Sequence, residues 1–210
     1  MQKTILINGQ NIEIFHEEKN NVDRFYSEVI LEKEYKSAFE DKTIVDIGAN
    51  IGTFCLYAYP FAKVIYAIEP VTVNYNNLVK TIITNNLTKI KPFKVAISNS
   101  IGKRWISTPG PYSDFMLGGG QGGHEPEEVD CTTLMQFVQS NNIDYIDVLK
   151  IDVEGEEFPI FKDPTMKELA SKIGIIIGEI HDSVENIIPF IERLGYTVTI
   201  SNRQLLARKI

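Results

Sequence analysis

Asp46, Gly48, Ala49, Asn50 and Gly52 stand in the run Asp-Ile-Gly-Ala-Asn-Ile-Gly, where an apolar segment gives way to a turn. Glycine lacks Cβ, so the backbone there can turn tightly and let a ligand lie against it. A nicotinamide or flavin domain presents GxGxxG, whose central glycine admits a pyrophosphate. This run has no such glycine. The carboxylate of Asp46 ahead of the loop suits the ammonium group of an amino-acid ligand better than an anionic diphosphate. Glu69, 21 residues beyond Gly48 at the end of the next apolar run, can accept both hydroxyls of a ribose. Glu69 alone does not separate one nucleoside cofactor from another; beside the glycine loop it reads as a binding residue.

The second constellation is Lys150-Ile-Asp152-Val-Glu154-Gly155-Glu156-Glu157. Its four carboxylates within six residues repel one another unless positive charge is near. Lys150, a cationic ligand or a divalent metal ion could supply that charge. Glu156 and Glu157 read as a solvated helix start, where acids meet the helix dipole favourably. Asp152 and Glu154 remain as site candidates. Further on, Glu179 and His181 alternate onto one side of a strand, about 7 Å apart along it. His181 is a candidate general base, set against the equal weight of a structural or merely exposed histidine. His124, in a glycine-rich stretch, reads as a solvent residue.

The elements that must hold these residues follow from hydrophobic period. Ile5 and Ile7 alternate before Asn8-Gly9, and Ile12 and Ile14 after it, which predicts a hairpin. Residues 22–39 carry apolar side chains at helical spacing. Residues 1–40 thus form an approach segment, and 41–210 the main domain. From Thr43 the chain alternates near-continuous apolar strands (TIVDIG, KVIYAIEP, KPFKVAIS, YIDVLKIDVEG, KIGIIIGEIHD) with helix-length segments, notably 71–86 and 132–141. That alternation predicts an α/β fold with a mostly parallel sheet covered on both faces. A helix over 183–194 leads into YTVTIS and QLLARKI, which the two residues Asn202-Arg203 join so tightly that they must pair antiparallel. Residues 107–127, with six glycines between Gly110 and Gly123, form the one long irregular stretch.

The 210 residues suffice for one compact domain. No apolar run approaches a membrane span, and the first residues lack the pattern of a secretory signal, so a cytoplasmic protein is expected. Cys55 and Cys131 have no CxxC partner and read as small buried hydrophobes. A formal net charge of −7 and the lack of a basic stripe disfavour nucleic acid as a partner.

VDIGANIGTF at 45–54, AIEPVTVNYNNL at 67–78, KVAIS at 94–98 and DVLKIDVEGEE at 147–157 together resemble the FkbM family of methyltransferases, over residues 25–179. The resemblance implies a class I methyltransferase fold, a Rossmann-like three-layer sandwich ending in the antiparallel hairpin. It implies S-adenosyl-L-methionine as methyl donor and O-methylation of a sugar or natural-product hydroxyl, hence a small-molecule or carbohydrate acceptor. By motif position, Asp46, Gly48, Ala49, Asn50 and Gly52 would hold the methionine portion. Glu69 would hold the ribose, Pro70 and Asn74 of the same motif would also bind the cofactor, and Ser98 would border the adenine. Asp152 and Glu154 would lie between donor and acceptor. The reaction would be an in-line displacement, with His181 or Asp152 as general base and Lys150 or a bound cation lowering the hydroxyl pKa. A divalent metal is compatible with the acidic cluster. Three other readings stand beside this one: a nicotinamide oxidoreductase, disfavoured by the missing GxGxxG; a cofactor-binding module without catalysis; and an N-methyltransferase acting on a peptide or protein.

Overall fold

A computed structural model of the chain describes residues 1–7, 9–17, 39–107, 116–117, 126–181 and 184–210. β1 (Gln2–Ile7) and β2 (Gln10–Phe15) form the expected antiparallel hairpin, with Ile5 opposite Ile12. Alternation buries Ile5, Ile7, Ile12 and Ile14 and leaves Leu6 exposed. The hairpin docks on helix α2 (Thr72–Thr84), where Phe15 N–H donates to Thr81 Oγ1 at 3.0 Å. Asn85, just past that helix, exchanges hydrogen bonds with the backbone of Glu13. Of the helix expected over 22–39, only Phe39 belongs to the described residues. It is buried, edge-on to Phe54 and Tyr57.

The main sheet starts with β3 (Thr43–Ile47), α1 (Thr53–Ala58), β4 (Val64–Ile68), α2 and β5 (Ile90–Phe93). It resumes with α3 (Leu134–Ser140), β10 (Ile146–Ile151), α4 (Glu157–Lys162), α5 (Met166–Leu169) and β11 (Ile173–Glu179). α6 (Val184–Arg193), β12 (Tyr196–Ser201) and β13 (Gln204–Lys209) complete it. The strand order is β12-β13-β11-β10-β3-β4-β5. All neighbours run parallel except β13, which is antiparallel to both β11 and β12. The central strands are buried on both faces, so their near-continuous apolar sequences are what a parallel sheet requires. The chain moves outward from β3 to β5 and then returns to lay β10 on the other side of β3. That reversal opens a crevice outside the carboxyl ends of β3 and β10, the place where open α/β sheets bind ligands.

KPFKVAIS is not one strand. β5 stops at Phe93, and β6 (Ala96–Ile97) leaves the main sheet for a smaller one. Pro92 lies in β5, an edge strand, where its missing N–H interrupts no ladder. The smaller sheet also holds β7 (Gly102–Ser107), β8 (Met116–Leu117) and β9 (Glu127–Thr132), in the order β6-β9-β7-β8. The stretch read as irregular is therefore flanked by strands; residues 108–115 and 118–125, with His124, lie outside the described residues. No helix among the described residues is long and apolar enough to cross a membrane. Cys55 and Cys131 are both buried and free.

Tyr196 pins the terminal hairpin. It is 1% exposed, and its hydroxyl donates to Ile173 O at 2.7 Å, with Ala170 O at 3.0 Å. Tyr196→Phe should lower the unfolding free energy by about 1 to 2 kcal/mol, because those buried carbonyls lose a donor. Urea denaturation would measure it; an unchanged midpoint would show that the hydroxyl contributes nothing.

Candidate active site

A cavity of about 350 Å³ opens outside the carboxyl ends of β3, β4, β10 and β11. Its floor is the turn after β3. Gly48 adopts φ +81°, and a Cβ placed on it would lie 1.8 Å from Asp152 O, so the turns after β3 and β10 touch backbone to backbone. Gly48 N–H and Ala49 N–H both donate to Ile68 O, at 3.0 and 2.9 Å, and tie the turn to β4. Asn50 lies in the left-handed region at φ +51°, a conformation asparagine tolerates, with Ile51 N–H donating to its side-chain oxygen at 2.8 Å.

Glu69 faces this turn from β4. Its two carboxyl oxygens accept from Asn50 N–H at 2.8 Å and from Val71 N–H at 2.9 Å. Burial pushes its pKa up to about 7, against the opposing pull of those two backbone donors and of a hydrogen bond from Asn74. Asn74 is 4% exposed, and its Oδ1 has no donor within the protein. Ala49, Asn50, Pro70 and Asn74 line the cavity beside Glu69.

Three of the residues expected to hold a cofactor do not line it. Alternation along β3 turns Asp46 away from the cavity, toward α1, and leaves it fully buried. There Cys55 Sγ–H donates to Asp46 Oδ2 at 3.0 Å, and Lys150 Nζ lies 3.2 Å from Oδ1. Gly52 packs against Leu78, behind the turn. Ser98 is 1% exposed and belongs to a polar knot in which its hydroxyl lies 2.5 Å from Glu156 Oε1 and Arg104 Nη1 donates to both. Ala96, Ile97 and Ile106 of the smaller sheet make the cavity wall instead.

The strand ends of β10 and β11 form the charged side. Lys150 Nζ donates to Gly48 O at 3.0 Å and lies 3.5 Å from Asp152 Oδ2. Burial alone would lower the pKa of Lys150; Asp46 and Asp152 outweigh it and hold the ammonium charged far above neutrality. His181 Nδ1 lies 2.8 Å from Glu157 Oε1, and its Nε2 faces Glu154 at 3.3 Å and Glu179 at 3.8 Å. Burial would lower its pKa too, but the hydrogen bond to Glu157 and the charges of Glu154, Glu157 and Asp152 raise it to about 9. The carboxylates around the ring favour its protonated form, which counts against His181 as a general base. Asp152, the other base candidate, is 36% exposed and on the cavity wall. Asp152, Glu154 and His181 offer donor atoms within 4.8 Å of one another, a grouping that could hold a metal; here Lys150 and the imidazolium supply the compensating charge.

Glu156 and Glu157 are not the solvated helix start expected of them. Glu156 is 5% exposed and pairs with Arg104 at 2.7 Å. Glu157 is fully buried; besides meeting His181 it accepts from Val153 N–H and Gly155 N–H. Sequence reading also passed over Gly178, Arg203 and Gln204, which line the cavity. The only signal at hand for Arg203 was its place in the two-residue turn.

The methyltransferase FkbM domain matches residues 46–198, more than half of the chain. The chain is 27% identical over 155 residues to the hexuronic acid methyltransferase AglP of Haloferax volcanii, covering 71% of this chain and 60% of that protein. It therefore spans less than two thirds of the length of that relative. Among solved structures, methyltransferase FkbM from Methylobacillus flagellatus KT aligns with a TM-score of 0.58 at 15% identity, over 81% of this chain and 44% of that one. A T. thermophilus 16S rRNA methyltransferase in complex with AdoMet and guanosine aligns with a TM-score of 0.54 at 11% identity, over 100% of this chain and 50% of that one. The fold is the class I methyltransferase sandwich, mostly parallel and closed by an antiparallel hairpin, and the chain belongs to the FkbM family of methyltransferase domains.

Proposed function

We propose that the chain is an S-adenosylmethionine-dependent O-methyltransferase acting on a sugar or similar hydroxyl. The observation that carries the donor half is the buried pair Glu69 and Asn74 beside the Gly48 turn. Glu69 keeps unused lone pairs on both carboxyl oxygens, and Asn74 Oδ1 lacks a donor, so the pair fits a ligand that offers two hydroxyls. The Gly48 turn, pressed against Asp152 O, lines the cavity in which the ligand would lie. When bound, S-adenosylmethionine supplies an electrophilic methyl group on a sulfonium. Glu69 and the turn fix the donor's position. Asp152 accepts the proton of an acceptor hydroxyl, and Lys150 and the His181 imidazolium limit the build-up of negative charge there. Most of the rate gain comes from alignment and exclusion of water.

The family match and the resemblance to a hexuronic acid methyltransferase support a carbohydrate acceptor. Incubation with methyl-labelled donor and cell fractions tests the acceptor half. Label in glycan is expected; label in polypeptide would replace this reading with N-methylation of protein.

Calorimetry tests the donor half, and pH sharpens it. With the Glu69 pKa near 7, the carboxylate is mostly protonated at pH 6 and mostly ionised at pH 8. S-adenosylmethionine affinity should rise about tenfold between those pH values, the ratio of ionised fractions. Glu69→Gln should flatten this dependence. Stability moves the other way. The folded-state pKa is raised above the ordinary glutamate value of 4.5, so the contribution of Glu69 is fully present below that value and is lost as pH rises through about 7. Affinity independent of pH in the native protein and unchanged in Glu69→Gln would remove Glu69 from the binding site.

A further inference from the structure

The inference concerns the acceptor and rests on the methyltransferase reading above. The two-residue turn between β12 and β13 is built into the cavity mouth, because β13 lies between β11 and β12 and starts where β11 ends. Ser201 pairs with Gln204, and the two residues between them, Asn202 and Arg203, both have positive φ, 49° and 68°. This is the backbone of a tight hairpin turn whose second position favours glycine; an arginine there costs about 1 kcal/mol. The turn is fastened to the site, since Ile180 N–H donates to Arg203 O at 3.0 Å and Gln204 pairs with Glu179. The Arg203 side chain folds back along the cavity, where Nη2 meets His181 O at 3.4 Å on the exposed side.

Charge balance separates Arg203 from the other cations of the cavity. Lys150 is committed to Asp46 and Asp152, and His181 to Glu154, Glu157 and Glu179. Among the described residues no carboxylate lies within ion-pair distance of Arg203. Its long contact to a carbonyl leaves most of the guanidinium donors to solvent. A planar fork of donors, carried on a tethered turn beside the cavity and paired with no carboxylate among the described residues, is the group that recognises an anionic oxygen group.

The geometry points to Arg203 as the specificity-determining residue for the acceptor, which we infer to be a sugar carrying a carboxylate or phosphate near the hydroxyl that is methylated. Asp152 faces the hydroxyl to be deprotonated, while Arg203, beside the His181 carbonyl, holds the anionic group and so orients the ring.

The test uses the intact chain with S-adenosylhomocysteine bound, and glucuronate, glucose 6-phosphate and glucose as probes. Arg203→Gln and Arg203→Lys are compared with the native protein by titration, after cofactor affinity has been checked in each. The expected result is that one or both anionic sugars bind at least tenfold more tightly than glucose. Arg203→Gln should erase the preference, Arg203→Lys should keep part of it, and cofactor affinity should stay unchanged. Which anion is favoured tells carboxylate from phosphate. Cofactor binding that is intact while the three sugars behave alike, or a preference that survives Arg203→Gln, overturns the assignment of Arg203. Failure of the native protein to bind cofactor overturns the methyltransferase reading itself, and this inference with it.

Discussion

Gly48→Ala should abolish measurable S-adenosylmethionine binding and destabilise the fold by at least about 3 kcal/mol, the combined effect of left-handed backbone and steric overlap. At φ +81° the new Cβ would sit 1.8 Å from Asp152 O and 2.9 Å from its carbonyl carbon. Those are main-chain atoms at the end of a central strand, so no side-chain rotation relieves the contact. The turn after β3 would have to lift away from β10, breaking the Lys150 hydrogen bond to Gly48 O and moving Asn50 off Glu69. Gly195→Ala is the control: it has a similar φ of +90° but open space around the added methyl. It should lose only about 1 kcal/mol and leave cofactor affinity alone. Equal effects from the two substitutions, read by calorimetry and thermal melting, would mean that backbone strain rather than the turn-to-turn contact governs the site.

This contact shows which parts of the site could be read from sequence. Gly48, Asn50 and Glu69 were legible because a turn and a strand end write their requirements into adjacent residues. The parallel sheet and the closing hairpin were legible because apolar period reports burial on one or two faces. Glu156 and Glu157 were misread because the groups that bury them are distant in the chain: Arg104 by 52 residues and His181 by 24. Nothing local distinguishes a helix-start carboxylate that faces water from one that faces an arginine arriving on an inserted strand. Asp46 lies off the cavity for another reason. Its strand position was right, but alternation alone could not say which face of β3 looks into the crevice. Arg203 was invisible as a site residue because the insertion of β13 between β11 and β12 is a property of topology, and the pairing of the hairpin does not state it.

Lys150→Met should cost about 3 to 5 kcal/mol, the usual penalty for removing one partner of a buried ion pair. Asp46 is fully exposed to that penalty, because its carboxylate has no solvent contact and only the Cys55 thiol would remain as a donor. A role confined to catalysis, such as lowering an acceptor pKa, predicts instead a stable protein with reduced turnover. The double variant Asp46→Asn with Lys150→Met separates the two. It removes the charge that Lys150 neutralises while keeping an oxygen for Cys55, so most of the lost stability should return, a coupling of about 2 kcal/mol or more in a double-mutant cycle. Cofactor affinity should stay reduced in both variants, because Gly48 O loses its donor in each and the turn after β3 is no longer tethered to β10. Stability that returns while affinity does not would identify Lys150 as the residue that positions the turn. A double variant as unstable as the single one would mean that Lys150 supports the fold through something other than the charge of Asp46.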